Sequence, residues 1–263
     1  MKMITSRGEE KMGALKIFTF NIRICIDKGA NDFELRKHRI AELINREKPD
    51  IIGFQEASGS MKEELRRLLD GYYVLGCGRG TNYQGESAAI AVRIDRLEIL
   101  ALDNFWLSAT PNVAGSRYGL DQSSCPRLSA ALRLVERGSD KPFWFVNTHL
   151  DHVGADARLL GAMQILQYVS QKDEPCVLTG DFNALPDSKE IQAIVDSPLG
   201  LVDCTAGIDG SFHDYGRLEK MIKIDYIFTN LPCDIEKTVA YADDAPNGTY
   251  YSDHLALCAY IEV

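Results

Sequence analysis

The sequence predicts an α/β fold in which two packed β-sheets are flanked by helices. Three observations lead there. Short apolar runs of strand character alternate with helical patterns early in the chain and dominate its second half. About ten such runs are more than one twisted sheet comfortably holds. No Gly/Ser-rich or Pro-rich linker, internal repeat or low-complexity tract interrupts the chain, so a single domain is expected over residues 14–263.

The elements follow in order. Residues 15–21 form a β-rich run that ends in a polar side chain. Residues 33–48 space Leu35, Ile40, Leu43 and Ile44 as a helix would, and stop before Pro49. Residues 50–56 contain a buried-type strand, Ile51-Ile52-Gly53-Phe54. Ser60 and Glu63 read as a capping box opening a helix to about residue 69. Strands are expected at 72–77 and 87–93 around a glycine-rich loop, and again at 99–107. Residues 108–126, with Pro, Gly and Ser, read as a long loop. Strands resume at 130–136 and 142–150. A helix at 155–170 carries Leu159, Leu160, Met163, Leu166 and Val169 at three- and four-residue spacings. A strand at 176–181, a helix capped by Ser188 and running to 195, and strands at 222–229, 235–241 and 255–263 complete the set.

Bulk properties narrow the function classes. The 263 residues are 45% hydrophobic, enough for a sizeable core. With 29 basic and 38 acidic side chains the net charge is −9, which disfavours sequence-independent binding to a polyanion. The seven cysteines include no Cys-x-x-Cys pair and are odd in number. They read as buried reduced thiols, suited to a reducing cytoplasm. Residues 1–13 are polar with no apolar core and read as a disordered leader, Met12 being a possible alternative start. No stretch approaches the roughly 18 apolar residues of a membrane span, and nothing marks an obligate protein partner.

Polar residues recur where apolar strands end. Asn21 follows Ile17-Phe18-Thr19-Phe20, Glu56 follows Ile51-Ile52-Gly53-Phe54-Gln55, and His149 follows Phe143 to Thr148. Asp181 and Asn183 follow Val177-Leu178-Thr179-Gly180. Asp225 precedes Tyr226-Ile227-Phe228, and Asp253-His254 precede Leu255-Ala256-Leu257. Any one of these has the simpler reading of a turn cap. Together they place carboxylates, amides and imidazoles on the rigid ends of sheets, where groups are held to tight tolerances. Carboxylates and amide oxygens are hard ligands suited to Mg²⁺ or Mn²⁺. Such an ion polarises a phosphoryl oxygen, an Asp orients or deprotonates a water, and a protonated His stabilises developing charge.

The ordered set Thr19-Phe20-Asn21-Ile22-Arg23, Gln55-Glu56, Asn147-Thr148-His149-Leu150-Asp151-His152, Gly180-Asp181-Phe182-Asn183, Ile224-Asp225-Tyr226-Ile227 and Ser252-Asp253-His254 resembles the endonuclease/exonuclease/phosphatase superfamily. The resemblance spans residues 15–263 and implies a four-layer α-β-β-α sandwich with two packed mixed β-sheets. It implies hydrolysis of a phosphodiester or phosphomonoester, of a small molecule or a nucleic-acid end, with Mg²⁺ or Mn²⁺. Position by position, it implies Glu56 as principal metal carboxylate, Asn21 as its partner and Asp253 as a further metal or water ligand. It implies Asp181 as activator of the attacking water and Asn183 as orienter of nucleophile and phosphate. Asp225 would orient His254, the phosphate-stabilising or acid/base histidine. His149 is similar to the second histidine of deoxyribonuclease I, inositol phosphatases and deadenylases. Exonuclease-III-type repair enzymes lack it. Arg127 resembles a phosphate-contacting arginine, and His213 and Asp151 are candidate substrate contacts.

Two rival readings are weaker. His149-Leu150-Asp151-His152 is also similar to the metal-binding element of metallo-β-lactamase-type enzymes, but that site needs further histidines and the chain has five in all. A non-catalytic phosphate-binding module on the same scaffold would be signalled by loss of Glu56, Asp181 or His254, and all three are present. His38 reads as a solvated helix residue, and Trp106 and Trp144 as core. The glycine-rich Gly76-Cys77-Gly78-Arg79-Gly80 lacks the Lys-Ser/Thr of a nucleotide cradle.

Overall fold

A computed structural model describes residues 13–263, so the expected leader lies outside the described residues except for Gly13. The strands are β1 (Leu15–Asn21), β2 (Ile51–Gln55), β3 (Tyr72–Leu75), β4 (Ile90–Arg93), β5 (Leu97–Trp106), β6 (Leu128–Glu136), β7 (Pro142–His149), β8 (Cys176–Asp181), β9 (Val202–Asp203), β10 (Asp225–Thr229), β11 (Val239–Tyr241) and β12 (Ala256–Ile261). The α-helices are α1 (Phe33–Glu47), α2 (Gly59–Leu68), α3 (Ala155–Ser170) and α4 (Lys189–Val195). One six-stranded sheet has the order β11-β12-β1-β2-β4-β3 and the other β5-β6-β7-β8-β10-β9. Each is mixed: β1 runs parallel to β2, and β7 to β8, while the other pairs are antiparallel.

Period-two alternation builds the layers. Phe18, Phe20, Ile52 and Phe54 face outward onto Ile40, Leu43 and Ile44 of α1 and Met61 and Leu65 of α2. Trp144, Val146, Leu178 and Phe228 pack under Ile165 and Val169 of α3 and Ile191 and Ile194 of α4. Leu15, Ile17, Ile51, Phe143, Phe145, Val177, Ile227 and Leu257 fill the space between the sheets. The result is the four-layer α-β-β-α sandwich with two packed mixed sheets.

Along the inward faces the chemistry changes in one direction. β1 reads Leu15, Ile17, Thr19, Asn21, and β2 reads Ile51, Gly53, Gln55. β7 reads Phe143, Phe145, Asn147, His149, and β8 reads Val177, Thr179, Asp181. The apolar half is core. Next comes a buried polar layer, in which Gln55 Nε2 donates to Asn147 Oδ1 (2.8 Å) and Thr19 Oγ1 (3.1 Å), and Thr179 Oγ1 donates to Asn147 Oδ1 (3.1 Å). The last step carries the candidate site residues. Gly53 lets the sheets approach here, because a Cβ at this position would lie 2.4 Å from Thr179 Oγ1.

Several expectations are corrected. The cap of α2 is Ser58, whose Oγ accepts from Met61 N at 3.4 Å, not Ser60. Ser188 occupies the N-cap of α4 without a side-chain cap bond. Leu35 is 52% exposed, and the inward side chain of that turn is Arg36. Residues 235–241 split into a 3-10 turn at Ile235–Lys237 and the three-residue β11, because Ile235 and Val239 stay exposed and drive no strand burial. The strand expected from 87 begins at Ile90, since residue 87 makes only an isolated bridge to Ala57. The cysteines are all free thiols, but only Cys176, Cys204 and Cys258 are buried, and Cys25 is exposed. Trp106 and Trp144 are buried and His38 is exposed. Among the described residues no helix is long and apolar enough to cross a membrane.

Candidate active site

Parallel pairing sends the carboxyl ends of β1, β2, β7 and β8 to one edge, and antiparallel β4, β10 and β12 begin there. Register does the rest. His149 is paired with Asp181, Asp181 with Asp225, and Asn21 with Gln55, next to Glu56. Gly180 contributes by having no side chain: a Cβ there would lie 2.4 Å from the carbonyl oxygen of Thr148, so β8 can lie close against β7. Its backbone is ordinary, and the left-handed residue of this turn is Asn183 (φ 48°). The turn is closed by Asn183 N–H donating to Asp181 Oδ1 (2.9 Å) and Asn183 Nδ2 donating to the Leu150 carbonyl (3.1 Å).

Asp181 is the hub. Its Oδ2 accepts from Asn21 Nδ2 (2.9 Å) and lies 3.6 Å from His149 Nε2 and 3.8 Å from His254 Nε2. His254 Nδ1 is 2.8 Å from Asp225 Oδ2. Burial and then the Asp225 charge push the Asp181 carboxyl up to about 7. Burial opposes the imidazolium of His254, but Asp225 and then Asp181 and Asp253 outweigh it and raise the ring to about 10. Burial, with Arg127 and Arg79 nearby, pushes His149 well below the usual imidazole range. The two rings therefore differ in charge near neutral pH: His254 is a cation and His149 a neutral base.

Opposite this hub, Glu56 holds a left-handed backbone (φ 61°) and presents its carboxylate to the Ile24 N–H (2.8 Å) and Asn21 Nδ2 (3.2 Å). Asn21 Oδ1 accepts from the Arg23 N–H at 3.0 Å. Asn21 thus bonds the Glu56 and Asp181 carboxylates through Nδ2 and the Arg23 N–H through Oδ1. Asp253 lines the cleft, 3.7 Å from Arg23 Nε, and burial raises its carboxyl.

Three residues at this edge escaped sequence reading. Residues 78–86 fold back on themselves, with Arg79 N–H donating to the Glu86 carbonyl (2.8 Å) and Gly80 N–H to that of Gln84 (2.9 Å). This sets Arg79 and Glu86 side by side as an ion pair in the cleft. Trp106 Nε1 anchors the loop on the Arg79 carbonyl at 2.7 Å. Arg23 reaches the cleft from the turn after β1. Glu86 was findable by the strand-end rule, because it precedes β4 at the same edge. Arg79 depended on how the loop returns.

Arg127 is 4% exposed and lines the cleft. Nη2 meets His152 Nδ1 at 2.9 Å and Nε lies 3.5 Å from Asp151 Oδ2, while the protons of Nε and Nη1 are without a hydrogen-bond acceptor. A buried guanidinium with free donors beside a cleft suits an anionic oxygen. Asp151 does not reach the cleft. Its carboxylate is enclosed by the N–H groups of Ser123, Val153 and Gly154 and the Ser123 hydroxyl, which organise the loop before α3. His213 is buried between the cleft-lining Phe212 and Asp214, its Nδ1 accepting from Gly216 N–H at 3.0 Å and its Nε2 without a partner. Both were expected as substrate contacts, and neither is among the residues that line the cleft.

The cleft encloses about 470 Å³. A larger space of about 810 Å³ between β5 and α3 holds none of the residues singled out for chemistry. Ligand atoms of Glu56, Glu86 and His149 lie within 4.8 Å of one another, as do those of Asp181, Asp225 and His254. In the second group His254 Nδ1 is bonded to Asp225 Oδ2, while Asp225 Oδ1 has no hydrogen-bond partner. The first, two carboxylates and a neutral imidazole, fits a divalent cation, and its oxygens suit Mg²⁺ or Mn²⁺.

Comparison with known proteins agrees with this geometry. The solved endonuclease/exonuclease/phosphatase from Bacteroides vulgatus is 30% identical, with a TM-score of 0.88 over 96% of this chain and 100% of that one. The mannosyl-6-phosphatase of Bacteroides thetaiotaomicron is 26% identical, with a TM-score of 0.83 over 95% of this chain and 100% of that one. TDP2 of D. rerio, solved with a single-strand DNA product, shares the fold at 15% identity and a TM-score of 0.75, over 95% of this chain and 99% of that one. The model of the Endonuclease/Exonuclease/phosphatase family matches residues 18–254. The chain belongs to the endonuclease/exonuclease/phosphatase family and is an enzyme of the phosphoesterase class.

Proposed function

We propose that this enzyme hydrolyses a phosphate ester of a small polar molecule, with Mg²⁺ or Mn²⁺ held by Glu56 and supported by Glu86 and Asp253. The observation that carries the reading is the placement of Asp181 between a neutral and a cationic histidine, facing a carboxylate cluster. The bound cation would supply charge neutralisation at the phosphoryl oxygens. The chain's own groups do the rest. Asp181, once ionised, accepts the proton of the attacking water, with Asn183 holding the turn that aims it. His254, kept cationic by Asp225, hydrogen-bonds the phosphoryl oxygen as charge develops. Arg127, Arg79 and Arg23 bring positive charge to the same cleft and orient a terminal phosphate.

The substrate class rests on three supports. The chain is acidic overall, the cleft is compact, and a relative of 26% identity is a mannosyl-6-phosphatase. The test is a turnover panel of sugar phosphates, bis-p-nitrophenyl phosphate, and short single-stranded RNA and DNA, each with Mn²⁺, Mg²⁺ or EDTA. We expect turnover that needs the metal and favours a small phosphate ester. Asp181→Ala or His254→Ala should lower kcat by about 10² or more. Metal binding without turnover of any phosphate ester would support a binding module instead. A preference for oligonucleotide ends would overturn the substrate class.

A further inference from the structure

Once the metal carboxylates, the Asp181 turn with its histidines and the arginines are set aside, the cleft wall still contains Ile24, Cys125, His152, Phe212, Asp214 and Ile224. These groups are left to meet the alcohol half of a phosphate ester. Phe212, its ring centroid 4.9 Å from that of His254, and the two isoleucines offer apolar surface, and Asp214 offers a carboxylate acceptor. Of the three histidines that line the cleft, His152 alone has no part in the hydrolysis. Its proton is placed by its neighbour. A guanidinium only donates, so at the 2.9 Å contact with Arg127 Nη2 it is His152 Nδ1 that accepts. The ring proton is then on Nε2, on an exposed residue of the cleft wall. The loop beneath is fixed. Asp151, the preceding residue, accepts from the N–H groups of Ser123, Val153 and Gly154, and its carbonyl accepts from Arg158 Nη1 at 3.1 Å. A donor held in this way loses little freedom when it binds.

We propose, on the basis of the small-ester hydrolysis described above, that His152 is a specificity-determining residue. It donates Nε2–H to a hydroxyl oxygen of the leaving alcohol and selects esters whose alcohol is polyhydroxylated, as in a sugar phosphate. A donor, a carboxylate acceptor and apolar faces in one cleft match the hydroxyl edges and C–H faces of such an alcohol. An aryl alcohol without hydroxyls meets the same apolar surface but gains nothing from His152. The residue therefore discriminates between alcohols, while the phosphate end of both substrates meets the same arginines and histidines.

The test compares kcat/KM, by phosphate release with Mn²⁺, for the fastest of a set of hexose phosphates and for phenyl phosphate, in wild type, His152→Asn and His152→Ala. The ratio of the two values does not depend on how much of a sample is folded. His152→Asn keeps an oxygen where Nδ1 accepts from Arg127 and has no donor where Nε2–H stands. Its ratio of hexose to phenyl phosphate should fall about 10-fold, the worth of one neutral hydrogen bond. His152→Ala, which also frees Arg127, should show the same fall in the ratio and a further loss on both esters. A ratio within about twofold of wild type in His152→Asn, an equal loss on both esters in His152→Ala, or a wild type that cleaves phenyl phosphate but no hexose phosphate would each overturn the role of His152. No turnover of either ester by the wild type would instead overturn the small-ester hydrolysis on which that role rests.

Discussion

Asp181 Oδ2 lies 3.8 Å from Nε2 of His254, a ring whose opposite nitrogen is 2.8 Å from Asp225. One buried carboxylate, Asp225, therefore supports the charge of His254 and at the same time opposes the charge of Asp181. Asp181 and His254 thus share the influence of one carboxylate.

The first prediction concerns that control. Asp225→Asn removes the charge that holds His254 up at about 10 and that, after burial, raises Asp181 to about 7. Both limbs of the pH profile of kcat/KM should move to lower pH at saturating Mn²⁺. At pH 8, kcat should fall by about 10² or more as the imidazolium is lost. A variant whose profile keeps both limbs in place would show that Asp225 does not set them.

Stability without metal should report the same charges. Asp181 and His254 both bind a proton more tightly folded than unfolded, since their ordinary values are 3.8 and 6.5. Each contributes stability that is complete below its ordinary value and is lost as pH rises through about 7 for Asp181 and about 10 for His254. Asp181→Asn cannot ionise. In EDTA, its Tm relative to wild type should therefore climb between pH 5 and pH 8. A difference that stays flat over that range would remove Asp181 as a group of raised pKa.

Arg36 carries a third prediction. Fully buried on α1, it donates to the carbonyls of Asn31 (2.7 Å), Ile22 (2.7 Å), Tyr251 (3.1 Å) and Arg23 (3.0 Å). It thus ties the turn after β1 to the segment that leads into Asp253 and His254. Arg36→Ala leaves those carbonyls without this donor and should cost about 3 kcal/mol or more in urea unfolding. Arg36→Lys, which keeps the charge but loses the planar fork, should recover part of it. A loss within about 0.5 kcal/mol for the alanine variant would mean that the loops hold themselves.

Arg36 also shows where sequence reading stops. The strand ends were legible because period two is strict: Leu15, Ile17, Thr19 and Asn21 share a face by spacing alone, so a polar residue closing an apolar series marks the edge of a sheet. That rule put Asn21, Glu56, His149, Asp181, Asp225 and His254 at strand ends; the strand pairing brings those ends to one edge. It says nothing about a charged residue on a helix, and Arg36 among Lys37, His38 and Arg39 looks like a solvated face. Nor does it separate a carboxylate aimed at the cleft from one such as Asp151, enclosed by its own loop. The orientation of the Asn21 amide is decided by the Arg23 N–H, a backbone neighbour that residue type does not reveal.

Arg127 supplies the last prediction, because its costs and uses separate. It is buried with Nε and Nη1 unpaired, and burial, then the nearby Arg79 charge, works against its own charge. Its removal leaves Asp151 with four protein donors, so little support is lost. Arg127→Met, similar in volume and uncharged, should unfold at the wild-type Tm or slightly above it. The same variant should lose about 10²-fold in kcat/KM for a phosphate ester and be inhibited less by inorganic phosphate. Retained activity at an unchanged Tm would place the phosphate elsewhere in the cleft, on Arg79 or Arg23. A strong fall in Tm would instead make Arg127 a structural partner of His152 and Asp151, with any loss of activity following from the fold.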